Sequence, residues 1–152
     1  MEEQNHNLDL KGLENFCEDV SLNLKVGDII CLSGELGSGK TTFARNLINS
    51  IYKKNKLEKP ISIKSPSFPI LLTYEVNQFE IFHYDLYRIS NINELIEINI
   101  FEELNNSITL IEWPEIMLDR LSNYNYYYVN FTIVDEDVRN IKHNLTFNSN
   151  AI

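Results

Sequence analysis

The feature that most constrains this chain is the stretch "GELGSGKT" at residues 34–41. Three of the chain's five glycines fall within six residues there, and the last is followed by Lys-Thr. Glycine inside a helix or strand costs roughly 0.5–1 kcal/mol relative to alanine, so such a cluster needs a reason. Before it stands "IICLS" (29–33), a short apolar run of the kind that forms a strand buried on both faces. After it, Phe43, Leu47 and Ile51 recur at four-residue steps with Ala44 and Ile48 beside them, which predicts a helix starting near Lys40. Strand, glycine loop and helix form the context in which GxxxxGK[ST] cradles phosphate.

The residue types explain the chemistry. Glycines let the backbone curl until successive N–H groups point at phosphate oxygens, and the helix N-terminus adds partial positive charge. Lys40 is expected to act as a mobile, surface-accessible charge on the β and γ phosphates, without a packing role. The Thr41 hydroxyl is expected to ligate a bridging Mg²⁺. A nucleotide such as ATP is the ligand this motif implies.

Such a loop needs a carboxylate across the sheet, at the C-terminal end of a buried strand, to organise the metal. Two acids meet that description. Glu112 ends "ITLI", four β-prone residues without a charge, and Asp85 lies in "IFHYDLYR". By period-two alternation Asp85 shares a strand face with His83 and Tyr87. The alternative for each is a surface carboxylate at a strand end. Glu102, Glu103 and the run Asp135–Glu136–Asp137 read as solvated helix or turn surface. Histidines at 6, 83 and 143 offer no zinc spacing, and His83 reads as a base, a ligand or a hydrogen-bonding core residue. Trp113, the single tryptophan, fits plain core packing and ligand or partner contact alike.

The remaining chain organises around this unit. Apolar residues at 10, 13, 16, 17, 20 and 24 predict an amphipathic first helix, with "KVGD" as the turn after it. "ISIKSP", "PILLTYEV" and "FEIFHYDLYR" (79–88) read as strands, the first two around a proline-marked turn. Residues 92–104 suggest one helix or two short ones, and "SITLIEW" (107–113) a buried strand. "YNYYYVNFTIVD" and "NIKHNLTFN" close the chain as two strands around "EDVR". The order is α/β with several antiparallel pairs, which predicts a mixed central sheet flanked by helices in a three-layer, P-loop NTPase-like fold. Residues 1–152 are expected to form a single nucleotide-binding domain.

Charge narrows the partners. The net charge is −9, with a pI near 4.8. Proteins that hold nucleic acid unaided show a basic stripe, and the one basic cluster here, "KKNKLEK" (53–59), reads as a solvated helix end and loop. Direct tight tRNA or DNA binding is not expected. No apolar run approaches the ~20 residues needed to span a bilayer, so no membrane association is expected. The polar, acidic "MEEQNHNLDL" is expected to be neither a secretory signal nor a transit peptide. Cys17 and Cys31 offer no disulfide framework, and a buried free thiol at Cys31 with a cytoplasmic location is the expectation.

Three blocks together carry a resemblance: "GELGSGKTTFARNL", "SPSF" (65–68) with "HYDLYR" (83–88), and "IEWPE" (111–115). Their order and spacing resemble the TsaE family, also called YjeE, from about Leu13 to Arg139. The resemblance implies a Mg²⁺-dependent ATP-binding, slowly ATP-hydrolysing, cytoplasmic component of bacterial tRNA threonylcarbamoyladenosine synthesis. It implies partners like TsaD and TsaB that carry out the transfer and hold the tRNA. It also assigns roles to residues. Glu35, Leu36, Gly37, Ser38, Gly39, Lys40, Thr41 and Thr42 surround the phosphates, and Thr41 with Glu112 holds Mg²⁺. Asp85 lies at the nucleotide, Lys40, Asp85 and Glu112 form the catalytic set, and Trp113 and Arg139 approach the ligand. "SPSF" resembles a family loop that sits near the γ-phosphate.

Two other readings share the motif. A small-molecule P-loop kinase needs a lid carrying arginines, and this chain has four, at 45, 88, 120 and 139, with no basic lid segment. A nucleotide-gated switch with negligible hydrolysis shares every feature.

Overall fold

The computed structural model describes residues 2–60, 62–66 and 70–146. Among these the backbone forms β1 (Gln4–Leu8), α1 (Leu10–Asn23), β2 (Asp28–Gly34), α2 (Lys40–Lys54), β3 (Leu71–Val76) and β4 (Phe79–Asp85). Next come α3 (Ile92–Glu97), α4 (Ile100–Glu103), β5 (Ser107–Glu112), a 3-10 helix (Pro114–Arg120), β6 (Asn125–Ile133) and β7 (Arg139–His143). The seven strands lie in the order β1-β7-β6-β2-β5-β4-β3. Strand β2 runs parallel to β5 and β6, and β4 runs parallel to β5. The outer pairs β1–β7, β6–β7 and β3–β4 are antiparallel. The mixed sheet expected from the sequence is the sheet observed.

Strand alternation divides the core into two layers. Ile30, Leu32, Ile81, Ile108 and Leu110 pack with Leu13, Phe16, Val20, Phe43, Leu47 and Ile51 of α1 and α2. Ile29, Cys31, Phe82, Tyr84 and Ile111 point the other way, onto Leu95, Ile100, Leu104 and Met117. The helical stripes of α1 and α2 are buried as their spacing predicts, except Leu10, which is 67% exposed. The Asp9 side chain caps α1 by accepting from Gly12 N at 2.8 Å. Helix α3 stops at Ile98, and Asn99 follows with φ of 58°, so residues 92–104 make two short helices. Both cysteines are free and buried, and burial pushes the Cys31 thiol up to about 12.

Several expectations fail locally. Residues 4–8 form a strand because β7 offers them a free edge, and their polar sequence carries no strand signal. Residues 62–65 of "ISIKSP" are not strand; Ile63 is buried, and its carbonyl accepts from Arg45 Nε at 3.0 Å instead of from a neighbouring strand. Residue 61, and residues 67 and 68 of "SPSF", lie outside the described residues. Strand β4 ends at Asp85, so Tyr87 leaves the sheet and is 64% exposed. The turn before β7 spans 134–138, with Val134 N donating to Val138 O, and Arg139 already belongs to the strand.

Candidate functional site

Strand β2 runs to the middle of the sheet and delivers the glycine loop at its C-terminal edge, where α2 begins. Gly34 is required by close approach. A Cβ there would lie 2.5 Å from Ser38 Oγ and 2.7 Å from the Phe131 carbonyl oxygen. Gly39 caps α2 with φ of 111°, a left-handed conformation that side chains disfavour. The Ser38 N–H donates to Glu35 O at 3.0 Å, which closes the loop. Ser38 itself is fully buried, and its Oγ has no hydrogen-bond partner among the described residues.

Lys40 is not the surface charge its motif role suggests. It is 5% exposed, and Nζ donates to Gly34 O at 2.7 Å and Glu35 O at 2.9 Å. The same nitrogen lies 4.2 Å from the centre of the Trp113 ring. Folding back onto the loop's carbonyls satisfies the ammonium where water is scarce. Burial holds it below the ordinary lysine range, opposed by the charges of Glu112, Asp85 and Glu115. Trp113 takes φ of 58° directly after β5 and caps the 3-10 helix, with Pro114 following. That turn puts the indole over Lys40 and 4.9 Å from the Tyr87 ring.

The two candidate acids meet at one place. Asp85 and Glu112 are register partners at the C-terminal ends of β4 and β5. Parallel strands with helical crossovers gather such ends at one edge of the sheet, beside the start of α2. Thr41 Oγ1 donates to Glu112 Oε1 at 2.7 Å. His83 Nε2 lies 2.7 Å from the other oxygen, Oε2. Asp85 Oδ1 accepts from Tyr87 N at 2.9 Å. Burial raises the Asp85 carboxyl above the usual range, opposed by that bond, while Glu112's charge raises it further.

These groups open onto a cleft of about 400 Å³. Leu36, Gly37, Gly39, Lys40, Thr41, Thr42, Asp85, Glu112, Trp113 and Arg139 all line it. Glu35 and Ser38 are not on its wall; they shape the loop from behind. Arg139 donates from a terminal guanidinium nitrogen to Asp135 O at 2.8 Å. Sequence reasoning missed a further part of the lining, where Leu8, Asp9 and Leu10 join Phe131 and Ile141. It also missed that Glu136 and Asp137, though exposed, stand at the cleft's rim. Leu8, Phe131 and Ile141 reach the cleft through the β1–β7 and β6–β7 pairings, and Glu136 and Asp137 through the turn that joins β6 to β7.

The donor set fits a hard cation and a phosphate chain. Thr41 and the two carboxylates offer oxygen, and the glycine loop offers backbone amides with a buried serine behind them. No cluster of three or more His, Cys, Asp or Glu able to cage a metal occurs among the described residues. Mg²⁺ is commonly held by one or two protein oxygens with the rest from phosphate and water, and Thr41 with a neighbouring carboxylate offers that number.

The family model for "Threonylcarbamoyl adenosine biosynthesis protein TsaE" matches residues 8–142. The chain belongs to the TsaE family. That match spans the cleft from Leu8 to Ile141, so every wall of the site lies within the TsaE region. A tRNA threonylcarbamoyladenosine biosynthesis protein TsaE from Rickettsia typhi is 40% identical over 129 residues, covering 85% of each chain. The protein of that name from Aquifex aeolicus is 34% identical over 98 residues, 64% of this chain and 66% of that one. The crystal structure of YdiB from Bacillus subtilis shares the fold, with a TM-score of 0.66 at 19% identity over 93% of this chain and 84% of that one. No helix among the described residues is long and apolar enough to cross a membrane.

Proposed function

We propose that this chain is a Mg²⁺-dependent ATP-binding subunit that hydrolyses ATP slowly in support of tRNA threonylcarbamoyladenosine formation. TsaD- and TsaB-like partners would carry out the transfer and hold the tRNA, and the chain would work beside them in the cytoplasm. The observation that carries the reading is the 2.7 Å bond between the Thr41 hydroxyl and Glu112, formed at the mouth of the glycine loop. It joins α2 to β5 through the two side chains that this reading assigns to the metal. In this reading the loop amides and Lys40 hold the phosphates, while Thr41 and Glu112 hold the cation. Asp85 lies beside them at the nucleotide, and Trp113 and Arg139 flank it. Bound Mg²⁺ would neutralise charge on the phosphates. The kinase reading is weak: Arg45 is turned away onto Ile63 O, and Arg139 alone of the arginines lines the cleft.

The test is calorimetry of ATP and ADP binding with and without Mg²⁺, followed by phosphate release from the chain alone and with TsaD and TsaB added. Binding with slow release, accelerated by the partners, is the expected result. Binding with no release under either condition would make the chain a nucleotide-gated switch. No nucleotide binding would end the reading.

A further inference from the structure

The acid that meets Thr41 is held from a second side. The His83 side chain is 0% exposed and that of Glu112 3%. His83, Asp85 and Glu112 all face the layer of α1 and α2, because they share strand parity with Ile81 and Leu110. Among the described residues each Glu112 side-chain oxygen has one partner: Oε1 receives Thr41 Oγ1 from α2, and Oε2 receives His83 Nε2 from β4. A carboxylate offers only lone pairs, so the imidazole donates. The other ring nitrogen, Nδ1, is buried and has no hydrogen-bond partner among the described residues. The ring therefore directs its hydrogen bonding at Glu112. His83 registers with Leu72 on one side and Leu110 on the other. An apolar side chain would fill that space without burying a polar ring.

We propose that His83 is a positioning residue for Glu112. Its Nε2–H fixes the rotation of the carboxylate so that Oε1 faces Thr41, which presets the oxygen pair offered to the divalent cation. The proposal rests on the Mg²⁺–nucleotide reading above. Without the ring the carboxylate keeps its location at the end of β5 but loses its rotational restraint, and the Thr41 hydroxyl loses a fixed acceptor. The expected defect is in the metal, not in metal-free nucleotide binding.

The test compares His83→Leu and His83→Gln with the unaltered chain. Gln can present an N–H near the position of Nε2, and Leu cannot. Three quantities are measured: ADP affinity without metal by calorimetry, Mn²⁺ affinity of the ADP complex by electron paramagnetic resonance, and Mg²⁺-dependent phosphate release. For His83→Leu, Mn²⁺ affinity should fall about 10–100-fold, as loss of an orienting partner does, with metal-free ADP affinity changed less than about twofold. His83→Gln should recover most of the Mn²⁺ affinity. If His83→Leu does not fold, His83→Asn, whose amide is too short to reach Glu112, replaces it against Gln. Unchanged Mn²⁺ affinity in the Leu or Asn variant overturns the proposal. So does an equal loss in every variant that also removes metal-free ADP binding, since that marks a ring needed only for packing. If the unaltered chain binds neither ADP nor its metal complex, the nucleotide reading has failed first and the proposal falls with it.

Discussion

Lys40 Nζ sits between two backbone carbonyls of its own loop and the face of Trp113, 4.2 Å from the ring centre. The charge that the proposed reading directs at phosphate is thus held inside the protein on two backbone acceptors. A buried ammonium with exchangeable partners is cheaper to redirect than a hydrated one, because most of its water has already been removed.

Lys40→Ala should therefore lower ATP affinity at least about 100-fold, the loss of a charge-assisted contact in a desolvated site. Because Lys40 is buried, the variant should also lose some stability, on the order of 1 kcal/mol. Since Trp113 is the only tryptophan, its emission should shift in the variant without any ligand present. Calorimetry and fluorescence check both. Unchanged affinity would remove the phosphate-loop assignment.

Glu112→Ala should cut Mg²⁺-dependent phosphate release by about two orders of magnitude or more while sparing nucleotide binding in EDTA. In the proposed reading the glycine loop, not the carboxylate, would hold the nucleotide. Asp85→Asn is the companion variant, because the two acids are register neighbours. Full activity in the Glu112 variant, with loss in the Asp85 one, would move the metal role to β4.

His143 gives the fold a pH dependence. It is fully buried, stacks on His6 with ring centres 5.2 Å apart, and accepts at Nδ1 from Leu145 N. Burial, reinforced by His6, lowers it from 6.5 to about 4. The unfolded chain then binds a proton at a higher pH than the folded one. Its contribution is complete above about pH 6.5 and is lost as pH falls to about 4. Urea melts at pH 7 and pH 4.5 should show that drop, and His143→Phe should flatten it. Equal slopes in both chains would mean that other groups carry the acid sensitivity.

The isolated chain should bind tRNA weakly or not at all near physiological salt. A net charge of −9 repels a polyanion, and counterion release needs several free basic groups together. Lys53 is engaged by Glu18 at 3.2 Å, and Lys54 by the carbonyl of Ser21 at 3.0 Å. Screening over ~8 Å weakens the repulsion without creating attraction. Salt-resistant, sub-micromolar binding in a gel-shift titration would overturn the proposal that partner proteins hold the tRNA.

By itself the sequence determined the central unit of this protein. The glycine loop, the buried strand before it and the amphipathic helix after it are continuous in the chain, so their spacing and composition are read directly. Alternation along residues 79–85 likewise put His83 and Asp85 on one face. What only the tertiary structure decided lies between segments far apart in sequence. Glu112 and Asp85 looked like rival acids, yet the β4–β5 register makes them neighbours and the start of α2 hands Glu112 its threonine. The burial of Lys40 needs the left-handed turn at Trp113, which its residue type disfavours and the local packing of Tyr87 supports. Residues 4–8 are polar in sequence and strand in the fold because β7, more than 130 positions later, supplies their hydrogen bonds, as Gln4 opposite His143 shows. Patterns within a segment reflect its own backbone and side-chain preferences. Partnerships between segments are set by which edges and strand ends the whole sheet leaves open to each other.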